Sequence, residues 1–160
     1  MKTLCIFTVV FCLSFIDSFS QTTFAVLPFR NMDGNIKLDV YSAKLSDSLY
    51  KEIEKIAGEL GIKLITNEQV EKAISSLKVG ETHPNYEATM WKAAEILGTN
   101  KVVSGTFNMQ NDRLLVNAYI YDSVLRLQDS QNKAINLFKA PESVMEVIPI
   151  IVRKLKPGLN

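Results

Sequence analysis

The chain has 160 residues, a length that favours one domain. With 47% hydrophobic and 22% charged residues it lies outside the disordered regime and can bury a real core. Lys and Arg total 18 against 17 for Asp and Glu, and a net charge of +1 excludes a field strong enough to gather nucleic acid or anionic lipid.

The segment Met1 to Ser20 has the make-up of a secretory leader. Lys2 supplies a positive start, Leu4 to Ile16 is apolar apart from Thr8 and Ser14, and Ser18-Phe19-Ser20 offers small residues to a signal peptidase. At ~1.5 Å per residue the apolar run reaches roughly 20 Å as a helix, short of the ~30 Å hydrocarbon core. Cleavage is expected between Ser20 and Gln21. The alternative, a buried amino-terminal helix, is disfavoured because a strand follows too soon for the helix to fold back. Both cysteines, Cys5 and Cys12, lie in this leader, and Cys12 follows Val9-Val10-Phe11 rather than the small residue a lipoprotein signal needs. A mature chain without a thiol is held by its core alone, which ~140 residues can supply. No stable membrane anchor is expected.

The first mature element is the run Thr22 to Asn31, apolar without alternation at Phe24-Ala25-Val26-Leu27, as in a strand covered on both faces. Pro28 has no N–H for a ladder, so the strand should leave the sheet there. From Leu38 the period becomes helical, with Leu38, Tyr41, Leu45, Leu49, Ile53, Ile56 and Leu60 on one face and Gly61 as the terminator. Asp33, Asp39 and Asp47 are expected to cap this helix and solvate its face. Ile62 to Ile65 is a second strand, and the strand, helix, strand order implies a right-handed parallel crossover. Thr66 and Gln69 form a capping box for a short helix bearing Val70, Ala73, Ile74 and Leu77, closed by Gly80. After a loop holding His83 and Pro84, a third helix carries Tyr86, Met90, Ala93, Ala94 and Leu97 and ends at Gly98.

Lys101 to Asp122 reads as two strands folded about Gln110-Asn111-Asp112-Arg113, each with an apolar and a mixed face. Gly105 lies within the first, where glycine weakens a strand unless something approaches closely; a crossing helix is expected, a ligand being the alternative. Tyr119 and Tyr121 share the mixed face of the second with Asn117. These tyrosines are either an aromatic platform or the floor beneath a helix. After the turn at Asp122-Ser123-Val124, Leu125 to Leu137 reads as an edge strand on which Arg126 and Lys133 discourage pairing with another chain. Pro141 opens a last helix with Val144, Val147, Ile148, Ile151, Val152 and Leu155 on one face, and Pro149 should bend or break it.

Catalytic chemistry is thinly represented. The turn after the first strand has one glycine, too few for a phosphate loop. His83 is the single histidine, so metal sites and nucleophile–histidine pairs lack their usual residues, and a loop histidine exposed to solvent is the simpler reading. No catalytic residue, cofactor or metal is assigned. Trp91 is expected at the edge of the core or in a contact surface, and His83, Tyr86 and Trp91 together form the candidate contact surface.

Four stretches carry a resemblance: AVLPF from Ala25, EKIAGELGIKLI ending at Ile65, AAEILGTNKVVSGTF from Ala93, and LLVNAYIYDS from Leu114. Together they resemble the TolB amino-terminal-domain-like group, related to curli secretion lipoproteins, flagellar assembly lipoproteins and penicillin-binding-protein activators. The resemblance covers nearly the whole mature chain, residues 21–160. It implies a three-layer α/β/α domain with a mixed five-stranded sheet in the order 2-1-3-4-5 and strand 4 antiparallel, similar to anticodon-binding domains. It also implies a non-enzymatic adaptor or assembly factor of the bacterial envelope, periplasmic or secreted, whose partners are other envelope proteins and not nucleic acid. Self-association is left open. A small-ligand or glycan-binding module using Gly80 to Asn85 and the ends of the parallel strands is the alternative.

Overall fold

Phe24, Ala25 and Val26 form the centre of the molecule: all three are buried in strand β1 (Thr23–Val26), which hydrogen-bonds in parallel to β3 (Lys63–Leu64) on one side and β4 (Lys101–Gln110) on the other. The structure is a computed structural model that describes residues 21–77 and 86–159. The leader with Cys5, Cys12 and Ser20, the helix end at Gly80 and the loop with His83 lie outside the described residues.

At Pro28 the chain leaves the ladder and rejoins it as β2 (Arg30–Asn31), again parallel to β4, opposite Thr106 and Phe107. Strands β1 and β2 are thus one strand interrupted where proline cannot donate. Strands β5 (Arg113–Asp122) and β6 (Leu127–Lys139) complete the sheet in the order β3-β1-β4-β5-β6, with β5 antiparallel to both neighbours. With β1 and β2 counted together, this is the expected five-stranded order 2-1-3-4-5. The β4–β5 turn has Asn111 and Asp112 at φ 48° and 58°, the two positive angles of the hairpin turn whose twist matches its strands.

Helix α1 (Val40–Leu60) buries Leu45, Leu49 and Ile53 against one face of the sheet, beside α4 (Val147–Leu155) with Ile151 and Leu155. Their partners on the sheet are Val103, Phe107, Val116 and Ile120. Each such side chain removed from water stabilises the fold by roughly 1.5–3 kcal/mol. Helices α2 (Asn67–Leu77) and α3 (Tyr86–Leu97) cover the opposite face at Ala25, Leu27 and Val102 through Val70, Met90 and Ala94. The result is three layers, α/β/α.

Several local expectations are corrected. The helix expected from Leu38 begins as a 3-10 turn over Ile36–Leu38 capped by the Asn35 side chain, and turns α-helical at Val40. The single final helix is split into a 3-10 segment, Pro141–Glu146, and α4, with Pro149 in the first turn of α4, where its missing N–H breaks no helical bond. The three aspartates do not cap α1 through their side chains. Asp39 accepts from Asn31 Nδ2 (2.7 Å), Asp33 from Met109 N (2.6 Å) and Asp47 from Asn67 Nδ2 (2.8 Å), so each ties a loop or a second element to the sheet or to α1.

Gly105 admits no helix. The ring of Phe29, from the interruption between β1 and β2, lies over it, and a Cβ there would stand 2.2 Å from Phe29 Cε1 and 2.3 Å from the Asn117 carbonyl oxygen. Strand β6 is the edge strand expected, but it starts at Leu127, and Arg126 stands in the preceding turn at φ 55°. Its alternation is interrupted twice, once where Asn136 (φ 59°) donates its N–H to Asn117 Oδ1 (2.8 Å), and once around Asp129.

Candidate functional site

Sheet register decides which side chains share the face on which α3 lies. Ser104 pairs with Tyr119, Val102 with Tyr121, Thr106 with Asn117 and with Arg30 of β2, while on β6 Lys133 pairs with Tyr119 and Gln128 with Tyr121. Helix α3 contributes Glu87, Met90 and Trp91, and Trp91 meets Tyr121 edge to face at 5.7 Å and 87°. Tyr119 and Tyr121 stack obliquely at 6.1 Å.

Between helix and sheet runs a trough made of two adjoining hollows. The first, of about 360 Å³, is lined by Arg30, Glu87, Trp91, Thr106, Tyr121 and Gln128 among others. The second, of about 280 Å³, runs past Glu95, Thr99 and Val124, and both share Trp91 and Arg126 in their walls. The floor is polar and aromatic because β5 alternates strictly here: its apolar side chains point into the α1 and α4 layer, and its mixed face looks into the trough.

Tyr121 is the one group of the trough with a large proton-affinity change. Burial first, then the neighbouring Tyr119 phenol and the Glu87 carboxylate, push its pKa up to about 12. Asp122 holds the adjoining turn by accepting from Val124 N (2.9 Å) and Leu125 N (2.7 Å), which fixes the backbone just before Arg126. Among the described residues no three His, Cys, Asp or Glu side chains gather where they could hold a metal ion, and no helix is long and apolar enough to cross a membrane.

Of the candidate contact residues, Trp91 lies in the trough. Tyr86 begins α3, with its backbone alone described, and His83 lies outside the described residues. Gln21 is exposed at the start of the described chain. Sequence reasoning missed Arg30, Glu87, Arg126 and Gln128. A signal for Glu87 existed in its spacing of four residues from Trp91 on one helix, which puts both on one face. For Arg126 none existed, since its place depends on where the β5–β6 turn ends.

The described fold is similar to that of the LpoB C-terminal domain from Salmonella enterica, at 11% identity over 74% of this chain and 82% of that chain, with a TM-score of 0.51. It is also similar to E. coli LpoB, at 10% identity over 74% of this chain and 58% of that chain, with a TM-score of 0.53. TolB from Acinetobacter baumannii aligns over 86% of this chain and 29% of that chain at 14% identity, with a TM-score of 0.46, and adds no weight. No family model and no curated protein matches the chain.

Proposed function

We propose that the protein is a non-enzymatic adaptor or assembly factor of the bacterial cell envelope that acts through protein–protein contacts. In this reading residues 1–20 are removed between Ser20 and Gln21, and residues 21–160 work as a single domain in the periplasm or after secretion. The observation that carries the reading is the trough. It is open to solvent along α3, it is lined by aromatic, hydroxyl and guanidinium groups, and the apolar turn at its rim is exposed. Such a mixed, open surface suits recognition of another protein better than it suits chemistry on an enclosed substrate. The fold shared with LpoB domains and the resemblance to the TolB amino-terminal group support an envelope role.

A second reading, a small-ligand or glycan module, is favoured by one feature: the Trp91–Tyr121 wall around a hollow of about 360 Å³, within the size range of small-molecule sites. That hollow lies between α3 and the sheet face. Cross-linking in the native envelope, followed by identification of the adducts, separates the two readings. Discrete protein adducts are expected. A folded, exported protein that gives none above background would refute the adaptor.

A further inference from the structure

We propose that the trough along α3 receives an extended acidic segment of a partner protein, with a carboxylate against Arg126 and apolar side chains to either side of it. The proposal rests on the protein-contact reading above and adds the place and chemistry of the contact.

Charge is divided across the trough. The sheet side carries Arg30, Arg126 and, next along the register beside Tyr119, Lys133, whereas the carboxylates, Glu87 and Glu95, stand on α3. Neither Arg126 nor Lys133 makes an ion pair among the described residues. An incoming carboxylate is therefore drawn to the β5–β6 side and held away from the helix wall. Guanidinium groups at a partly covered surface bind carboxylates in a planar, two-bonded geometry that lysine cannot reproduce.

Apolar surface adjoins this cation. Val124, in the wall of the second hollow, and Leu125 are 78% and 66% exposed, and Trp91 stands beside Arg126 in both hollows. Leu127, opposite Asp122 in the register, faces the other side of the sheet. Asp122 pins the turn that presents Val124 and Leu125, so little order has to be gained on binding. The two hollows meet at Trp91 and Arg126, so the receiving surface runs along α3 from Glu87 to Gly98. A compact anion would use Arg126 and leave the apolar turn wet, while an extended peptide covers both.

The test selects peptides from a random display library on the purified protein and titrates the consensus while tryptophan fluorescence is read. Trp91 is the chain's one tryptophan, so the signal arises in the trough. The expected consensus has Asp or Glu flanked by large apolar residues, and its Kd weakens at least about tenfold on Arg126→Glu, equivalent to ~1.4 kcal/mol. Lys44→Glu, on the exposed face of α1, should leave that Kd within about twofold, because surface charges far apart are screened. Arg126→Gly, which suits the left-handed φ of 55°, is a second charge-removing variant that cannot fail through backbone strain. A basic or uncharged consensus, an affinity indifferent to both Arg126 variants, or a failure to select any binder overturns the proposal. So does tighter binding of a polyuronate, of a single-stranded oligonucleotide or of a second copy of the chain. Envelope cross-links that persist unchanged in Arg126→Glu would defeat the proposed site and leave the adaptor reading standing; loss of all cross-links from the wild-type protein would defeat that reading itself.

Discussion

Replacing Gly105 with alanine adds one methyl group at the tightest point of the sheet. That Cβ would meet Phe29 Cε1 at 2.2 Å, the Asn117 carbonyl oxygen at 2.3 Å and Phe29 Cδ1 at 2.5 Å, all far inside van der Waals contact. Phe29 is fully buried and cannot swing out without opening a cavity. The Asn117 carbonyl belongs to the β5 backbone, so moving it disturbs the β4–β5 ladder beside the Gly105–Ala118 pair. Overpacking of this kind costs about 1–3 kcal/mol and a lost ladder hydrogen bond about 1 more, which predicts a loss of roughly 2–4 kcal/mol. With a urea slope of ~2 kcal/mol/M, the unfolding midpoint should fall by roughly 1–2 M. Gly58→Ala is the internal control: it sits in α1 with nothing within 4 Å of the added Cβ, and should gain about 0.5–1 kcal/mol. The double variant Phe29→Ala, Gly105→Ala relieves the ring but not the carbonyl, so it should be less destabilised than the sum of its singles by about 1–2 kcal/mol. A Gly105→Ala midpoint within ~0.3 M of wild type would refute the claim that close approach explains this glycine.

Thr66→Ala should destabilise by about 1 kcal/mol in thermal melts and Thr66→Ser by much less, because Thr66 Oγ1 accepts from Gln69 N (3.3 Å) while Gln69 Oε1 accepts from Thr66 N (3.2 Å) at the start of α2. The Asp129 carboxylate is held below the usual range, chiefly by the side-chain and backbone N–H groups of Asn132, against a small opposing effect of burial. A lowered folded value means that its contribution is present above the unfolded carboxyl range and is lost as pH falls through the folded value. Asp129→Asn should thus lower the melting temperature at neutral pH and make little difference in strong acid, and an equal loss at both would count against the interpretation. Tyr121, raised to about 12, should ionise well above the ordinary phenol range. Ultraviolet titration should find it protonated at about pH 11, and Tyr121→Phe should delete a step at high pH. Because the folded value is raised, the linked stability is present below the ordinary phenol range and disappears as pH rises through the folded value; a single titration step near the ordinary value would exclude the buried phenol.

How much of this could be read from the chain follows from the range of each cause. Periodicity and caps are local, so α1, its Gly61 end and the Thr66–Gln69 box were legible, as was the Asn111–Asp112 turn. The break at Pro28 was legible for the same reason, since proline cannot donate wherever the sheet goes. Sheet order came through the resemblance, because pairing of β1 with both β3 and β4 has no local mark. Phe29 over Gly105 was not legible: the two are far apart in the chain and meet only because β1 stops at Pro28 and resumes as β2. The β6 bulges hide for another reason. Asn136 and Asp129 look like alternating polar residues of a strand, and only the partner strand reveals that one side has residues to spare.

The position of the trough follows from the unequal covering of the sheet's two faces. Helix α4 packs on β5 and β6, so the α1 and α4 layer extends to the edge strand, whereas α2 and α3 bury chiefly β1 and β4. Among the described residues, Trp91 is the aromatic side chain of α3 that reaches β5, at Tyr121. The polar groups left on the less covered face are not equally available. Asn117 is committed, with its Oδ1 accepting from Asn136 N and its amide 3.4 Å from the Thr106 hydroxyl, and it holds the bulge that bends the edge strand. Arg113 donates to the Phe138 carbonyl (3.0 Å) and lies over that ring. Arg126, in its pinned turn, lines both hollows, and Lys133 stands beside Tyr119 on the same face, with no ion pair made by either among the described residues. The groups that would take part in recognition are therefore those the fold does not already use, and they lie together on the side where the helical layer stops short.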